Sequence, residues 1–350
     1  MSIGLFQAFV DHKAKSATMM GTGRLGTSDL IVSQLGMGCV KLGSVGALHS
    51  RKSASRLVRR AVDAGVRLFD TADAYGAGIS EATLGEALAP VRDGVVVATK
   101  VGYLFEERGR LAQLAWGAAR AAMRRLGPVL PRSRSSVAVT GAAYSKQDFS
   151  AAYVRAAVVG SLRRLRTGHL DLLQFHGPPA PEQCELPEVV SRLRDEGLVR
   201  YFGVGCERLE VAEAWVGVPG LTSIQMGFGV LDPEAAADLI PRARQAGVGI
   251  IARGVLGGGL LAQFIRGRPI NLDAKRSTRL HRLVDLATDH GTDVMQLAVW
   301  YGLHRSQVDA ILLGISSSAQ LEANVRMVRQ PLPSLSLLQQ ITDIVERAEA

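Results

Sequence analysis

The chain has 350 residues, 47% hydrophobic and 21% charged, a balance that a folded protein shows and a disordered chain does not. Its net charge of +9 is local: residues 104–147 hold eight Lys/Arg against two acidic residues, and with no recognition-helix motif, zinc finger or RNP-like aromatic pattern nucleic acid is not an expected partner. The three cysteines, Cys39, Cys184 and Cys206, are odd in number and lack CxxC spacing, so neither a disulfide framework nor a metal site is indicated and a reducing cytoplasm fits.

In chain order, residues 1–19 precede any periodic element and read as an N-terminal extension, with the pair Met19 and Met20 leaving the natural start open. The opening MSIGLFQAFVDHKAK lacks the basic n-region and long apolar core of a secretory signal, and no apolar run is long enough for a membrane span, so a soluble protein is expected. From about Leu30 onward, short apolar β-type runs alternate with helical-period segments, the signature of repeated βα units. Eight strands are predicted, at 32–39, 67–73, 95–101, 170–176, 200–205, 223–228, 248–254 and 310–316. Between them lie helices such as the one marked by Ala54, Leu57, Val58, Ala61 and Val62, and the one marked by Val154, Ala157, Val158, Ser161, Leu162 and Leu165. Asp232 before Pro233 reads as a helix start, as does Thr292 or Asp293. A closed (β/α)8 TIM barrel over residues 20–350 satisfies this order better than a doubly wound sheet, which periodicity alone leaves open. Residues 104–147 break the rhythm after the third strand, with an Ala-rich helical piece at 111–126. Such an insertion suits a lid or a contact between copies of the chain.

Asp70, Lys100 and His176 fall at the ends of the second, third and fourth strands, and Tyr75 follows in the loop after the second. Residues at the carboxyl ends of parallel barrel strands converge on one mouth. The set has a chemical use. Reducing a carbonyl calls for a proton at the developing alkoxide, and a tyrosine with a pKa of about 10 holds its proton tightly at neutral pH. A neighbouring ammonium favours the phenolate, an aspartate fixes and compensates that ammonium, and a histidine can orient the carbonyl oxygen. Taken singly, each has an ordinary structural use as a cap, a rim residue or a satisfied core group; their joint placement carries the reading.

The segment 65–88, GVRLFDTADAYGAGISEATLGEAL, resembles the first signature of the aldo-keto reductase superfamily. ATKVG (98–102), SLRRLRTGHLDLLQFHGP (161–178), VRYFGVG (199–205) and ILLGISSSAQLEAN (311–324) follow in the family's order, and the resemblance runs from Met20 to about Arg329. It implies an NAD(P)H-dependent oxidoreductase acting on an aldehyde, ketone or sugar carbonyl or on the alcohol, with Tyr75 as general acid/base, Lys100 and Asp70 as its partners and His176 orienting the substrate. It also implies a nicotinamide cofactor extended across the mouth without a GxGxxG fingerprint. Gly38, Cys39 and Asp70 then lie at the nicotinamide end and Gln225 at the carboxamide. Arg253, Val255, Leu256 and Gly257 lie along the pyrophosphate, and Gly314, Ser316, Ser318, Gln320 and Asn324 at the adenosine end.

This chain departs from the family at two places. Gly205 and Cys206 stand where a Ser-Asn pair commonly holds the carboxamide, and Arg253 stands where many members stack a tyrosine on the nicotinamide. The family's habit favours NADP(H), with NAD(H) a close second, since ISSSAQ offers no Lys or Arg to a 2′-phosphate, which its serines, or Arg276 or Arg279 from the preceding loop, would have to bind. A cofactor-binding regulatory subunit resembling potassium-channel β subunits is the alternative function.

Overall fold

Alternation along the strands decides what is buried on each side of the sheet. The computed structural model describes residues 20–42, 50–104, 146–304 and 308–347. Its eight parallel strands are β3 (Leu35–Gly38), β4 (Leu68–Asp70), β5 (Val96–Val101), β6 (Leu170–His176), β7 (Val199–Cys206), β8 (Leu221–Gly227), β9 (Gly249–Arg253) and β10 (Ala310–Gly314). They close in the order β10-β3-β4-β5-β6-β7-β8-β9, and the expected barrel is the observed one. Phe69, Val97, Leu173, Phe175, Val204, Ile224, Ile250 and Leu313 face the helix layer and share its core. The alternate residues face the lumen. There Leu68, Val96, Ala98, Leu172, Ile251, Ala310 and Leu312 form a separate apolar cluster toward the amino ends of the strands. Continuing in steps of two, Leu68 leads to Asp70, Ala98 to Lys100, and Leu172 to Gln174 and His176. The same face that is apolar at the floor is polar at the mouth.

The predicted first strand, 32–39, is corrected: only Leu35–Gly38 joins the barrel, while Ile31–Ser33 is β2, which pairs antiparallel with β1 (Thr22–Arg24) in a hairpin that plugs the floor. Leu25, Leu30 and Val32 are 0–2% exposed within the lumen cluster. Each buried side chain of this size contributes about 1.5–3 kcal/mol.

The helices are α1 (Arg51–Asp63), α2 (Ile79–Leu88), α3 (Ala151–Leu165), α4 (Leu186–Asp195), α5 (Leu209–Trp215), α6 (Leu239–Gln245), α7 (Leu260–Ile265), α8 (Ala274–Asp289), α9 (Val294–His304), α10 (Ser318–Arg329) and α11 (Leu335–Glu346). Side-chain caps start several of them: Ser50 accepts from the Ser53 amide at 3.1 Å, Asp273 from Arg276 at 2.8 Å, Asp293 from Gln296 at 2.9 Å and Ser317 from Gln320 at 3.2 Å. Such caps contribute about 1 kcal/mol each.

The reading of Asp232 as a helix cap is corrected. Asp232 and Gly229 exchange backbone hydrogen bonds, and its carboxylate pairs with Arg276, so the chain is held in a turn there. Only a three-residue 3-10 turn, Glu234–Ala236, follows. The expected extension at 1–19 and nearly all of the 104–147 insertion lie outside the described residues. The insertion's two ends are pinned together: Tyr103 bridges Gln147, the Leu104 amide donates to the Lys146 carbonyl at 2.9 Å, and the Asp148 amide donates to the Gly102 carbonyl at 2.9 Å.

Candidate active site

Asp70 is the last residue of β4, Lys100 the last but one of β5 and His176 the last of β6, and the parallel register brings them to one end of the lumen. The Lys100 ammonium is 1% exposed and donates to both oxygens of Asp70 at 2.6 Å and to the Thr71 carbonyl at 3.1 Å. Asp70 Oδ1 also accepts from Gln174 Nε2 at 3.0 Å and Gln225 Nε2 at 2.7 Å. A buried ion pair is tolerable only when its remaining lone pairs are satisfied, and here the two glutamines do that.

Tyr75 enters from a tight turn. Its amide donates to the Ala72 carbonyl at 3.1 Å, its carbonyl accepts from the Ser80 amide at 3.2 Å, and the next three residues, Gly76, Ala77 and Gly78, all have positive φ (64°, 50° and 88°). That left-handed run reverses the chain into α2 and places the Tyr75 ring at 5.4 Å, centroid to Lys100 Nζ. The His176 ring meets the Tyr75 ring edge-on at 6.0 Å and the Tyr103 ring edge-on at 4.7 Å.

Burial raises the Tyr75 phenol above its ordinary value; the Lys100 ammonium opposes this, the Asp70 carboxylate adds to it, and the net direction is up. The lysine alone would lower it, as the sequence leads one to expect, but the loss of water and the Asp70 carboxylate outweigh that effect. Burial pushes the Lys100 ammonium down, but Asp70 and Tyr75 reverse this and raise it. Burial, then Lys100 and Arg253, pushes His176 down to about 3, so its imidazole is neutral. His176 Nδ1 is buried without a hydrogen-bond partner among the described residues.

The residues expected along the cofactor divide into two groups. Gly38 pairs with both Asp70 and Gly314 across the register, and Gly205 lies beside Lys100 and pairs with Gln225. Gly254 and Gly257–Gly259 all have positive φ in the turn after β9, where Val255 is fully buried and Leu256 packs on the core. Asn324 is 2% exposed, and its Nδ2 has no partner among the described residues.

Others are buried in the core or have polar groups already engaged within the protein. Cys206 belongs to the helix-side core, and burial raises its thiol to about 12; Cys39 is fully buried, its amide donating to the Asp70 carbonyl at 2.8 Å and its thiol to the Met37 carbonyl at 3.3 Å. Gln225 has its amide nitrogen committed to Asp70. The Arg253 guanidinium is held by the Cys206 carbonyl at 2.9 Å and by Glu207 at 2.7 Å. Gln320 Oε1 accepts from the Ser316 amide at 2.9 Å and the Ser316 hydroxyl at 3.0 Å. The Ser318 hydroxyl accepts from Arg60 at 2.9 Å. Arg276 pairs with Asp232 and Asp273, and Arg279 is buried on the Leu231 carbonyl.

The sequence profile of the aldo/keto reductase family matches residues 34–345. The chain belongs to that family. A holo-form aldo-keto reductase of Bacillus halodurans superposes with a TM-score of 0.74 at 29% identity, covering 94% of this chain and 97% of that one. L-galactose dehydrogenase of Arabidopsis thaliana is 29% identical over 92% of each chain. Pyridoxal 4-dehydrogenase of Microbacterium luteolum is 27% identical over 88% of this chain and 93% of that one. This aldo-keto reductase is thus an NAD(P)-dependent oxidoreductase that interconverts a carbonyl compound and its alcohol. Among its described residues no helix is long and apolar enough to cross a membrane.

Three neighbours of the site escaped the sequence reading. Gln174 had a visible signal, a polar residue on the lumen face of an apolar strand two residues before His176. Tyr103 and Gln147 had none, because the bridge between them joins the two ends of the insertion; Gln147 Nε2 donates at 2.8 Å to the carbonyls of His176 and Gly177.

Proposed function

We propose that Tyr75 is the general acid/base of this aldo-keto reductase, Lys100 and Asp70 its charged partners, and His176 the group that orients the substrate oxygen. The observation that carries the reading is a fully buried ammonium, bound by one carboxylate and set 5.4 Å from the Tyr75 ring. A bound nicotinamide supplies the hydride to the carbonyl carbon or takes it back from the alcohol. Tyr75, whose raised pKa keeps its proton in place at neutral pH, gives that proton to the substrate oxygen as negative charge develops there. The phenolate left behind is stabilised by Lys100, which Asp70 prevents from moving. His176, neutral, donates one N–H to the same oxygen and cannot compete as an acid. In the direction of alcohol oxidation Tyr75 has first to lose its proton, so that direction is favoured at higher pH.

The residues present fit a dinucleotide. Asn324 offers to the adenosine end a buried amide nitrogen with no partner among the described residues, and the left-handed glycines after β9, Gly254 and Gly257–Gly259, carry no side chain that would obstruct a pyrophosphate. Gly314, Ser316, Ser318 and Gln320 line the adenosine end, and Gly38 and Gly205 leave room beside Asp70 and Lys100. Gln225 remains to accept from the carboxamide through Oε1, since Gly205 and Cys206 place no polar side chain there. NADP(H) is favoured over NAD(H) on the family's habit, and Arg60, which donates to Ser318 and is paired with Glu322 at 2.7 Å, is a cation at the start of α10 that a 2′-phosphate could draw from Glu322.

The likeness to L-galactose dehydrogenase favours a hydroxyl-bearing aldehyde or sugar as the substrate. The three cysteines are free, which fits a cytoplasmic location. Oxidation of NADPH and NADH, measured with a panel of aldoses, aromatic aldehydes and ketones, tests the assignment. The expected result is turnover of hydroxylated aldehydes with NADPH preferred, the preference shrinking in Arg60→Ala. Equal use of both cofactors by the parent contradicts the cofactor preference, and absence of turnover with every carbonyl contradicts the substrate class.

A further inference from the structure

Behind the Tyr75 turn lies a group of buried charges that the proton-transfer chemistry above leaves unused. Asp73 is 1% exposed and Glu81 fully buried. Glu81 has a partner on each oxygen: Thr99 donates to Oε1 at 2.6 Å, and Arg164 Nε donates to Oε2 at 2.6 Å. Asp73 is tied to the end of β5, its amide donating to the Lys100 carbonyl at 3.0 Å, yet its Oδ1 has no hydrogen-bond partner among the described residues.

Arg164 links this group to the turn. It lies flat against Gly78, where a Cβ would sit 2.5 Å from Arg164 Cδ, and Gly78 ends the left-handed run that positions Tyr75. Nη2 also donates to the Ser161 hydroxyl at 3.2 Å. The charged and titratable groups facing Asp73 are therefore Glu81 from α2 and Arg164 and Tyr153 from α3. Tyr153 in turn donates to the Tyr103 carbonyl at 3.2 Å, behind the ring that lies on His176.

In this wall the Asp73 carboxyl lies near the Glu81–Arg164 pair, but among the described residues no ion pair joins it to the guanidinium, and the Arg164 side chain is 29% exposed. With both ionised the wall carries one uncompensated negative charge, and Arg164 is drawn between two acceptors. With a proton on Asp73 the charges balance and Arg164 stays on Glu81. We propose that Asp73, held as the neutral acid beside the Glu81–Arg164 pair, is the positioning residue of the Tyr75 turn, and that its ionisation disables proton transfer by pulling Arg164 from its seat against Gly78. In agreement, burial first and the Glu81 carboxylate second raise Asp73 to about 8, against the opposing pull of Arg164 and the Ala74 amide. Because Tyr75 is two residues along the chain, a shift of the turn moves the phenol directly, and misplacement by about 1 Å can cost about a hundredfold in rate.

The test uses the full-length enzyme and the kcat–pH profile in the reductive direction. The parent is expected to lose kcat above about pH 8, and Asp73→Asn, which mimics the neutral acid, to lack that fall. Asp73→Ala is expected to lower kcat roughly ten- to a hundredfold with the cofactor Kd unmoved, and the Asn variant to recover most of the loss. Glu81→Gln removes the charge that opposes ionisation of Asp73 and is expected to move the alkaline fall to lower pH, with a lower plateau kcat because Glu81 also holds Arg164. If Asp73→Ala does not fold, the Asn profile and the Gln shift still decide. An Asn variant that keeps the parental fall, a Gln variant whose fall does not move, or an Ala variant with parental kcat overturns the proposal. The inference rests on Tyr75 as proton donor, which Tyr75→Phe tests alone. An enzyme that needs Tyr75 but keeps its alkaline fall in Asp73→Asn refutes only the role given to Asp73.

Discussion

The floor and the mouth of the barrel lumen are built by the same strands, two residues apart, and they are opposites. At the floor Leu68, Ala98 and Leu172 meet Leu25, Leu30 and Val32 of the hairpin in a dry cluster whose return is burial energy. At the mouth Asp70, Lys100 and Gln174 occupy the next inward positions on the same strands, equally hidden from water, and each is tolerable only because another satisfies it. Damage at the floor thus costs stability while chemistry survives, and damage at the mouth costs chemistry, with stability also lost wherever a buried charge is left without its partner.

Four substitutions break or sharpen that contrast. Lys100→Met should have the largest effect, lowering turnover by about 10²–10³-fold with the cofactor Kd retained, because two glutamines still satisfy Asp70 while the phenolate loses its positive neighbour. Its pH–rate profile for alcohol oxidation should also move to higher pH; a parental rate and profile would refute the coupling of Tyr75 to Lys100. Leu172→Ala, one inward step below Gln174, should cost about 2–5 kcal/mol in urea unfolding and leave kcat and KM near parental. A large kinetic change with unaltered stability would blur the two ends.

His176→Gln should act on the slope of stability with pH. The folded imidazole is held at about 3 against an ordinary 6.5, so the unfolded chain binds the extra proton between those values and the parent loses stability as pH falls through that window. The variant should lack this share of the loss, with no difference from this source above about pH 7; parallel curves would show that His176 is not buried neutral. Asn324→Ala should do least, weakening cofactor binding severalfold, about 1 kcal/mol, with kcat at saturating cofactor intact. An unchanged Kd by calorimetry would remove α10 from the cofactor site.

Much of this contrast was legible in the sequence, and the exceptions have physical reasons. The barrel strands were readable because each is a β-type apolar run at regular spacing, and Asp70, Lys100 and His176 because a charged or polar residue closing such a run stands out. The hairpin is hidden in the sequence because β1 is three residues long and exposed along its length, while β2 runs almost directly into β3 and reads with it as one strand, 32–39. Cys206 was placed at the cofactor by position alone, but it is two residues from Val204 and shares that residue's outward parity. Asp232 was read as a cap from the Asp-Pro pair, a local signal overridden by its ion pair with Arg276, 44 residues away. Asp73 looked like part of a signature; its burial beside Glu81 and Arg164 depends on packing of α3 against α2, which no local pattern encodes.

The claim that chemistry resides in the mouth is tested most directly by the single-turnover rate of Tyr75→Phe, with the variant saturated in reduced cofactor and mixed with excess carbonyl substrate. Removing one hydroxyl leaves the ring, the turn and the Lys100–Asp70 pair in place, so the account predicts a parental cofactor Kd, an unchanged unfolding midpoint and a rate at least about a hundredfold below the parent. A single-turnover rate within about twofold of the parent would contradict it.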